Sequence, residues 1–569
     1  NTDQTRISIR CGSLYGGNAQ AELLPGDVLS LSLAASGVNA EKLATPLAGY
    51  AFVKGTLTGS AKLTARPSSL AAFLSGIKGS AEVRIEKGVL TPSRTGKPIA
   101  FSQGGVSFQG AGSRTQGAQP QYAYSGQWRA SLTAADWQGS LSLTGPLLFP
   151  ASGPFGLRAE GVSASGEGSM RGVSAQATGS LSFDTRNAAL DVKNAKGHFD
   201  MKGAAGTFNG SASGSQLDKS PVWEATLSCS TDNLRALLSR RDMLPSGLSP
   251  QRPGQARANA KVRLDDNAVK IGELEGVVDA TRFSGRIERF KGTPPRWVAD
   301  LRLGALNLSD YLPPSKGRAS SNEPWNVNWL KSLDLEGHLN AERLTVARIP
   351  HENVTAPITI KGGVLTADPI KARVADGAAG AGFRAEAASG GLLARLRYTL
   401  KEVNVLALCR ERGQEQLLSG KGDLDVDVKG LLRSGADIPA ALTGTLSFAI
   451  RNGDLDARHP GGLNRFSSLS ASGNLSRGIL TTRDLNLSGP LSVRGYGGIN
   501  LLNWTLDYSL NVTGPGIPNI PVRYYGSLNA PQRSFNATGI IANALNSIGS
   551  GFLTILDGVV SAPLRFLAP

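Results

Sequence analysis

The sequence predicts a mostly β protein: an elongated, curled antiparallel β-sheet groove built from duplicated modules, with a few short helices and an amphipathic C-terminal segment. Three observations carry this expectation. From Val53 to Arg66, Val53, Gly55, Leu57, Gly59, Ala61, Leu63 and Ala65 alternate strictly with Lys54, Thr56, Thr58, Ser60, Lys62, Thr64 and Arg66. Successive strand side chains point to opposite faces, so such a segment has one apolar and one polar side. Glycine supplies 70 of the 569 residues, about twice its usual share, yet 40% of the chain is hydrophobic and placed at period two, which argues against disorder. A long-period internal repeat completes the case. The segment from Gly55 (GTLTGSAKLTARPSSLAAFLSGIKGSAEVRIEKGVL) aligns with the segment from Gly420 (GKGDLDVDVKGLLRSGADIPAALTGTLSFAIRNGDL), with matching spacings from Gly79 to Gly88 and from Gly444 to Gly453.

Further strands follow the same alternation: Ala81, Val83, Ile85; Leu333, Leu335, Gly337, Leu339; Ala394, Leu396, Tyr398, Leu400; Leu424, Val426, Val428; Leu446, Phe448, Ile450; and Trp504, Leu506, Tyr508, Leu510, Val512. The stretch SLSLTGPL at Ser140 is echoed by LNLSGPL at Leu485, whose apolar side carries Leu485 and Leu487. Glycine-containing turns such as Asn452-Gly453 separate the strands, as in antiparallel meanders. Short helices are expected at Ser69 to Leu74, at Leu234 to Met243 after Asp232 as cap, and at Val405 to Gln416 after Asn404. The organisation reads as a first β module over 1–115, a central β-rich region over 116–330, a second module over 331–539 and an amphipathic segment over 540–569. In that last segment Ile541, Leu545, Ile548, Phe552, Leu556 and Val559 follow helical spacing, to lie in a membrane interface or to plug the end of the sheet.

Sixty Lys and Arg against 44 Asp and Glu leave a charge of +16, spread over strand faces. That balance suits solvation of a large sheet or contact with anionic lipid headgroups, whereas no basic run is interleaved with stacking aromatics as nucleic-acid binding would need. Cys11, Cys229 and Cys409 are odd in number and far apart, so no disulfide framework or zinc knuckle is indicated, and Cys229 and Cys409 are expected as buried packing residues. The histidines His198, His338, His351 and His459 stand singly and are expected at the surface. Asp423, Asp425 and Asp427 have calcium-loop spacing, but Val428 stands where such a loop needs glycine, so they read as the wet face of a strand. Gly/Ser tracts such as GVSASGEGSMRG from Gly161 lack the ending and the strand-to-helix context of a phosphate loop. No nucleophile, base and orienting group converge, and the expectation is a non-enzyme with no metal and no cofactor. No run of 18 uncharged apolar residues occurs, and the chain starts in mid-pattern without Met, as if an upstream segment had been removed or left out.

An antiparallel sheet cannot leave a long apolar face to water, where each Å² costs about 25 cal/mol. A facing sheet, closure on its own core or a ligand must cover it. The candidate groove residues are Val53, Leu57, Leu63, Val83, Ile85, Leu333, Leu335, Leu339, Leu396, Tyr398, Leu400, Leu424, Val426, Val428, Leu446, Phe448, Ile450, Leu485, Leu487, Trp504, Leu506, Tyr508 and Leu510. A curled wall with room inside and a filled sandwich both fit these residues.

In order along the chain, SLYGG at Ser13, IGELEGVVDATRFSGRIERF from Ile271, LRLGALNLSDYLPP from Leu301, WLKSLDLEGHLNAERLTV from Trp329, the block from Leu418 to Asp456 and IPVRYYGSLNAPQ from Ile520 resemble the AsmA-like family of Gram-negative envelopes, relatives of TamB and YhdP. The resemblance implies a β-taco-like groove that shields acyl chains while phospholipid crosses the periplasm between inner and outer membrane. It also implies an N-terminal inner-membrane helix that this sequence lacks. The partners it implies are phospholipid or another acyl-chain lipid, the inner membrane, and the outer membrane or one of its proteins through the C-terminal segment; nucleic acid is not among them. Two other functions compete: an assembly factor for outer-membrane proteins acting by β-strand augmentation, and a Gly-rich surface adhesin or filament.

Overall fold

The computed structural model describes residues 6–534 except 49–52, 67–68, 92–97, 115–120, 151–155, 171, 218, 240–248, 250, 312–326, 347, 412–417, 435–437, 459, 461, 516 and 528–529. The expected amphipathic tail, including Ile541, Leu545, Ile548, Phe552, Leu556 and Val559, lies outside the described residues, as does His459. The chain falls into two compact units, Asn1–Asp242 with Gln255–Leu274, and Met243–Gly254 with Glu275–Pro569. The expected central region 116–330 is shared between them.

The first unit is an antiparallel meander. From Ile7–Leu14 to Ala256–Leu264, each strand pairs with the next in sequence. The alternation at Val53 becomes the strand Val53–Ala65, whose residues are exposed and covered by turns along its whole length. Tight hairpins turn on Tyr15-Gly16 and Lys202-Gly203, where both residues have positive φ. This is the conformation whose twist matches paired strands.

The second unit repeats that plan from Thr281–Phe290 to Ala530–Ser534 with one departure. The strand Arg296–Asn307 pairs in parallel with Asp334–Val346, Trp297 opposite Leu335 and Leu301 opposite Leu339. A parallel pair needs a long connection rather than a hairpin, and residues 308–333 provide one. Leu333 precedes the second of these strands, so the alternation read from Leu333 begins one residue ahead of it.

Other expectations are corrected. Asn452-Gly453 is not a hairpin turn: Asn452 takes φ +51° inside the strand Thr443–Asp454, and residues 455–464 lead to the next strand. The helix Leu234–Ser239 is capped by Asn233, whose side-chain oxygen accepts from the Ala236 N–H at 3.0 Å, and not by Asp232. Trp504, with φ +55°, stands just before the strand Thr505–Gly514. Leu70–Gly76, capped by Ser69, and Val405–Glu411, capped by Asn404, begin where predicted, the expected stretch to Gln416 lying outside the described residues. Ala40–Ala48 and Ile438–Ala441 are additional helices. Cys409 is buried, but Cys229 is exposed.

The internal repeat is structural. Residue n of the first copy corresponds to residue n + 365 of the second, as in Gly55 and Gly420, Gly79 and Gly444, Gly88 and Gly453. Asn39 caps Ala40–Ala48 through the Lys42 N–H, and Asn404 caps Val405–Glu411 through the Ala407 N–H. Leu57 pairs with Ile85 in one copy and Gly422 with Ile450 in the other; Gly88 faces Phe101, and Gly453 faces Phe466. Irregularities recur as well, between Ala35 and Val38 and between Leu400 and Val403. Upstream of this the offset is 360: the turn Tyr15-Gly16-Gly17 finds its equivalent in Ala375-Asp376-Gly377, where Asn39 N–H donates to the Tyr15 carbonyl at 3.2 Å and Asn404 N–H to the Ala375 carbonyl at 2.8 Å.

Glycine is required where neighbouring strands touch. A Cβ on Gly79 would lie 2.0 Å from the Lys62 carbonyl oxygen, and one on Gly444 would lie 2.0 Å from that of Asp427. Gly444→Ala is expected to destabilise the second unit by more than about 1 kcal/mol, because backbone and not a mobile side chain must yield. Urea unfolding checks this, with Gly391→Ala, whose Cβ would lie 2.4 Å from the Leu432 carbonyl oxygen, as a second crowded site and Gly304→Ala, whose Cβ would meet nothing closer than 3.7 Å, as the open control.

Candidate functional site

The two units dispose of their apolar faces differently. In the second unit, Leu400, Leu424, Val426, Val428, Leu446, Phe448, Ile450, Leu485, Leu487, Leu506, Tyr508 and Leu510 all fall in one buried cluster, with Leu424 and Val426 4% exposed and Phe448 6%. Leu396, Tyr398 and Trp504 are half-buried and pack against it. Leu335 and Leu339 are half-buried on the strand that makes the parallel pair, and Leu333 is half-buried just before it. Here the protein covers its own apolar residues. The buried Tyr508 hydroxyl is satisfied by Thr482 Oγ1 at 2.9 Å, and burial pushes its pKa up to about 12.

In the first unit, Val53 is buried with Ala40 and Phe101, and Leu57 and Ile85 pack against that small cluster. Beyond it the apolar face lies open. Direct cross-strand pairing sets Cys11, Ala19, Ala35, Gly59, Val83, Val106, Ala130 and Leu141 in one row across eight strands. A neighbouring row runs through Ile9, Ala21, Leu33, Ala61, Ala81, Phe108 and Trp128. Ile9 is 63% exposed, Val106 51%, Leu33 39% and Leu141 37%, while Leu57, Leu63, Val83 and Ile85 are half-buried. Single exposed apolar residues are ordinary on protein surfaces, but contiguous rows of them are not.

Two concavities follow these rows. One, of about 330 Å³, is lined by residues including Ile9, Cys11, Ala19, Leu33, Ala61 and Val83. The other, of about 480 Å³, is lined by Val83, Ile85, Phe101, Val106, Leu132 and Leu141 among others, so Val83 borders both. A third concavity of about 860 Å³ in the same unit carries charge on a mixed lining, with Lys193, Lys261 and Arg263 beside Asp191 and Glu224. Its charges are partly paired, Lys261 with Glu273 at 2.7 Å and Arg263 with Glu224 at 2.8 Å.

Of the residues singled out from the sequence, the structure therefore brings Leu57, Leu63, Val83 and Ile85 onto or beside an open apolar trough and places the second-module set from Leu396 to Leu510 in or against a packed core, with Leu333, Leu335 and Leu339 half-buried outside it. Ile9, Leu33, Phe101, Val106, Leu132 and Leu141 belong to the trough although the sequence reading did not single them out. Leu29, Leu31 and Leu33 alternate with Ser30 and Ser32, a signal that would have found that strand. Around Val106 glycine breaks the alternation.

The titratable residues do structural work. Asp427 accepts from Arg395 Nε at 2.9 Å, and Arg451 donates to Asp423 at 2.9 Å, while Asp425 is exposed, so the three aspartates form the outer face of a strand. The neighbouring arginine holds the Asp427 carboxyl below its usual range. His338 is exposed beside Asp300, and His198 is exposed. His351 corrects the surface expectation. It is half-buried, its Nδ1 is 3.1 Å from the Ile349 carbonyl, and its Nε2 is 2.9 Å from the Tyr398 hydroxyl. One neutral tautomer satisfies both bonds, donating to Ile349 and accepting from Tyr398. Among the described residues no group of three or more His, Cys, Asp or Glu could hold a metal ion, and no helix is long and apolar enough to cross a membrane.

Residues 308–485 match the model of the AsmA family. The match begins directly after the strand Arg296–Asn307 and runs through the second copy of the repeat to Leu485. Such a match is consistent with an envelope-associated transport role. None of the curated proteins matches the chain.

Two predictions follow from this packing. Phe448→Ala should cost the second unit about 3–5 kcal/mol, and Val106→Ala should move the stability of the first by no more than about 0.5 kcal/mol, both read from denaturant midpoints. Burial lowers the His351 pKa below its ordinary value, so the unfolded chain binds the extra proton more readily. The second unit should then hold its full stability above about pH 6.5 and lose it as pH falls below that. Urea midpoints at pH 7.5 and 5.5 test this, and a slope unchanged in His351→Gln would assign it to another group.

Proposed function

We propose that this AsmA-like protein is a non-enzymatic carrier of phospholipid in the envelope of a Gram-negative cell, working in the periplasm and tethered to the inner membrane. The AsmA family match supports the envelope setting. The observation that carries the reading is the open apolar trough of the first unit, whose rows of Ala, Gly, Val and Leu have, among the described residues, no covering residue of their own unit along much of their length. Hydrocarbon laid there leaves water as the side chains do, at about 0.8 kcal/mol for each methylene buried. Passive partition of an acyl chain along such a surface requires no reaction, nucleophile or cofactor. The net charge of +16 suits an anionic headgroup at the rim.

A second reading, assembly of outer-membrane proteins by strand augmentation, draws on the strand Ile7–Leu14. It is exposed along most of its length and pairs, among the described residues, only with Gly17–Leu24.

Native mass spectrometry of protein purified from cells tests the carrier. Phospholipid adducts are expected, reduced at least tenfold by Leu33→Asp combined with Val106→Asp, two exposed positions where a carboxylate is tolerated by the fold. A wild-type protein free of lipid, with a protein adduct crosslinked along Ile7–Leu14, would replace the carrier by the assembly factor.

A further inference from the structure

We infer that the two copies of the repeat have opposite roles: the first is shaped to be filled by a lipid acyl chain, and the second is the same module filled permanently by its own side chains. The inference rests on the carrier reading and says where in the chain the lipid lies. Corresponding inward positions are smaller in the first copy: Ala35 against Leu400, Gly59 against Leu424, Ala61 against Val426, Ala81 against Leu446, Val83 against Phe448 and Gly104 against Leu469. Each of the six larger residues is buried in the second unit. All six smaller ones line the two open concavities.

Other positions run the opposite way: Leu57 against Gly422, Val106 against Ala471, Phe108 against Gly473, Leu29 against Ala394, Leu63 against Val428 and Ala65 against Gly430. The first is an exchange within the module. A Cβ on Gly422 would meet Val405 Cγ2 at 2.8 Å, and the first copy has Ala40 where the second has Val405. Volume has moved there from strand to capping helix. Val106 and Phe108 return part of the volume, since they stand opposite Val83 and Ala81 where Ala471 and Gly473 stand opposite Phe448 and Leu446. The ground vacated by Leu400 and Leu424 has no such return among the described residues: Ala35 pairs with Gly59, Ala19 and Val83 flank them, and the first concavity lies there.

The chemistry of the occupant is read from what fills the equivalent space. In the second copy it is aliphatic and aromatic hydrocarbon, so the first copy fits an unbranched hydrocarbon chain, with no inward charge to anchor a headgroup along the two rows. A phospholipid acyl chain meets that description, its charged end left to the solvated rim.

The test converts the first copy toward the second. Ala35→Leu, Ala61→Val and Val83→Phe in one full-length variant add volume at the concavity without placing a Cβ on a crowded glycine or opposing Phe108. The variant is expected to keep its circular dichroism spectrum, to melt no lower than the wild type, and to lose at least nine-tenths of the phospholipid seen by native mass spectrometry. A folded variant that keeps wild-type lipid overturns the inference while leaving the carrier reading intact; a wild type that never holds lipid removes the carrier itself. If the variant does not fold, a photoreactive residue in the otherwise unaltered chain decides. With vesicles of phosphatidylethanolamine and phosphatidylglycerol, lipid adducts are expected from position 106 or 141 and not from the exposed positions 393 or 502 of the second unit. Equal adducts from both units, or a lipid-free dimer crosslinked through position 106, overturn it.

Discussion

Every strand of an antiparallel sheet carries side chains on both faces, and cross-strand pairing lines those residues up into rows whether or not anything is there to meet them. That constraint organises this molecule. Once Val53–Ala65 alternates apolar and polar residues and its neighbours adopt matching register, the rows through Ala61 and through Gly59 follow without further choice. The polar side needs only solvent and cross-strand ion pairs such as Arg395 with Asp427, which contribute little individually. The apolar side is the one that must be resolved, and the two units resolve it differently.

Where the chain resolves it internally, the inner-face leucines and aromatics of Lys421–Leu432 and Thr443–Asp454 meet those of the strands that follow, and a single core results. Where it does not, small residues leave the wall thin and the trough open. Both outcomes are built on one scaffold. Asn39 and Asn404 start equivalent helices, Gly88 and Gly453 lie against equivalent phenylalanines, and the same strand irregularities recur. Backbone geometry and face content thus vary independently in this repeat, because a glycine pinch or an asparagine cap is fixed by backbone contacts whereas an inward alanine or leucine is free to change with what it touches.

Much of this was legible in the sequence. Period-two alternation located the strands, and the glycine spacings shared by the segments from Gly55 and Gly420 located the duplication, since both signals are local and set by backbone sterics. Legibility ended where an outcome depends on a partner several strands away. Nothing within the run Leu446, Phe448, Ile450 distinguishes a residue facing hydrocarbon from one facing Tyr508. The burial of His351 depends on Tyr398, 47 residues on. Asn452-Gly453 misled for a related reason: left-handed φ serves hairpin turns and in-strand irregularities alike, and only the register with Arg465–Ser476 separates them. The parallel pairing of Arg296–Asn307 was invisible because alternation carries no information about strand direction.

The open rows through Val106 and Leu33 have a thermodynamic corollary. A fold that leaves part of its interior to be completed from outside has a stability coupled by mass action to the supply of whatever completes it. The self-filled second unit is insulated from that supply. On the carrier reading, scarcity of lipid would loosen the N-terminal half selectively, making it the part of the chain first offered to proteases and so tying the lifetime of the protein to the traffic it serves.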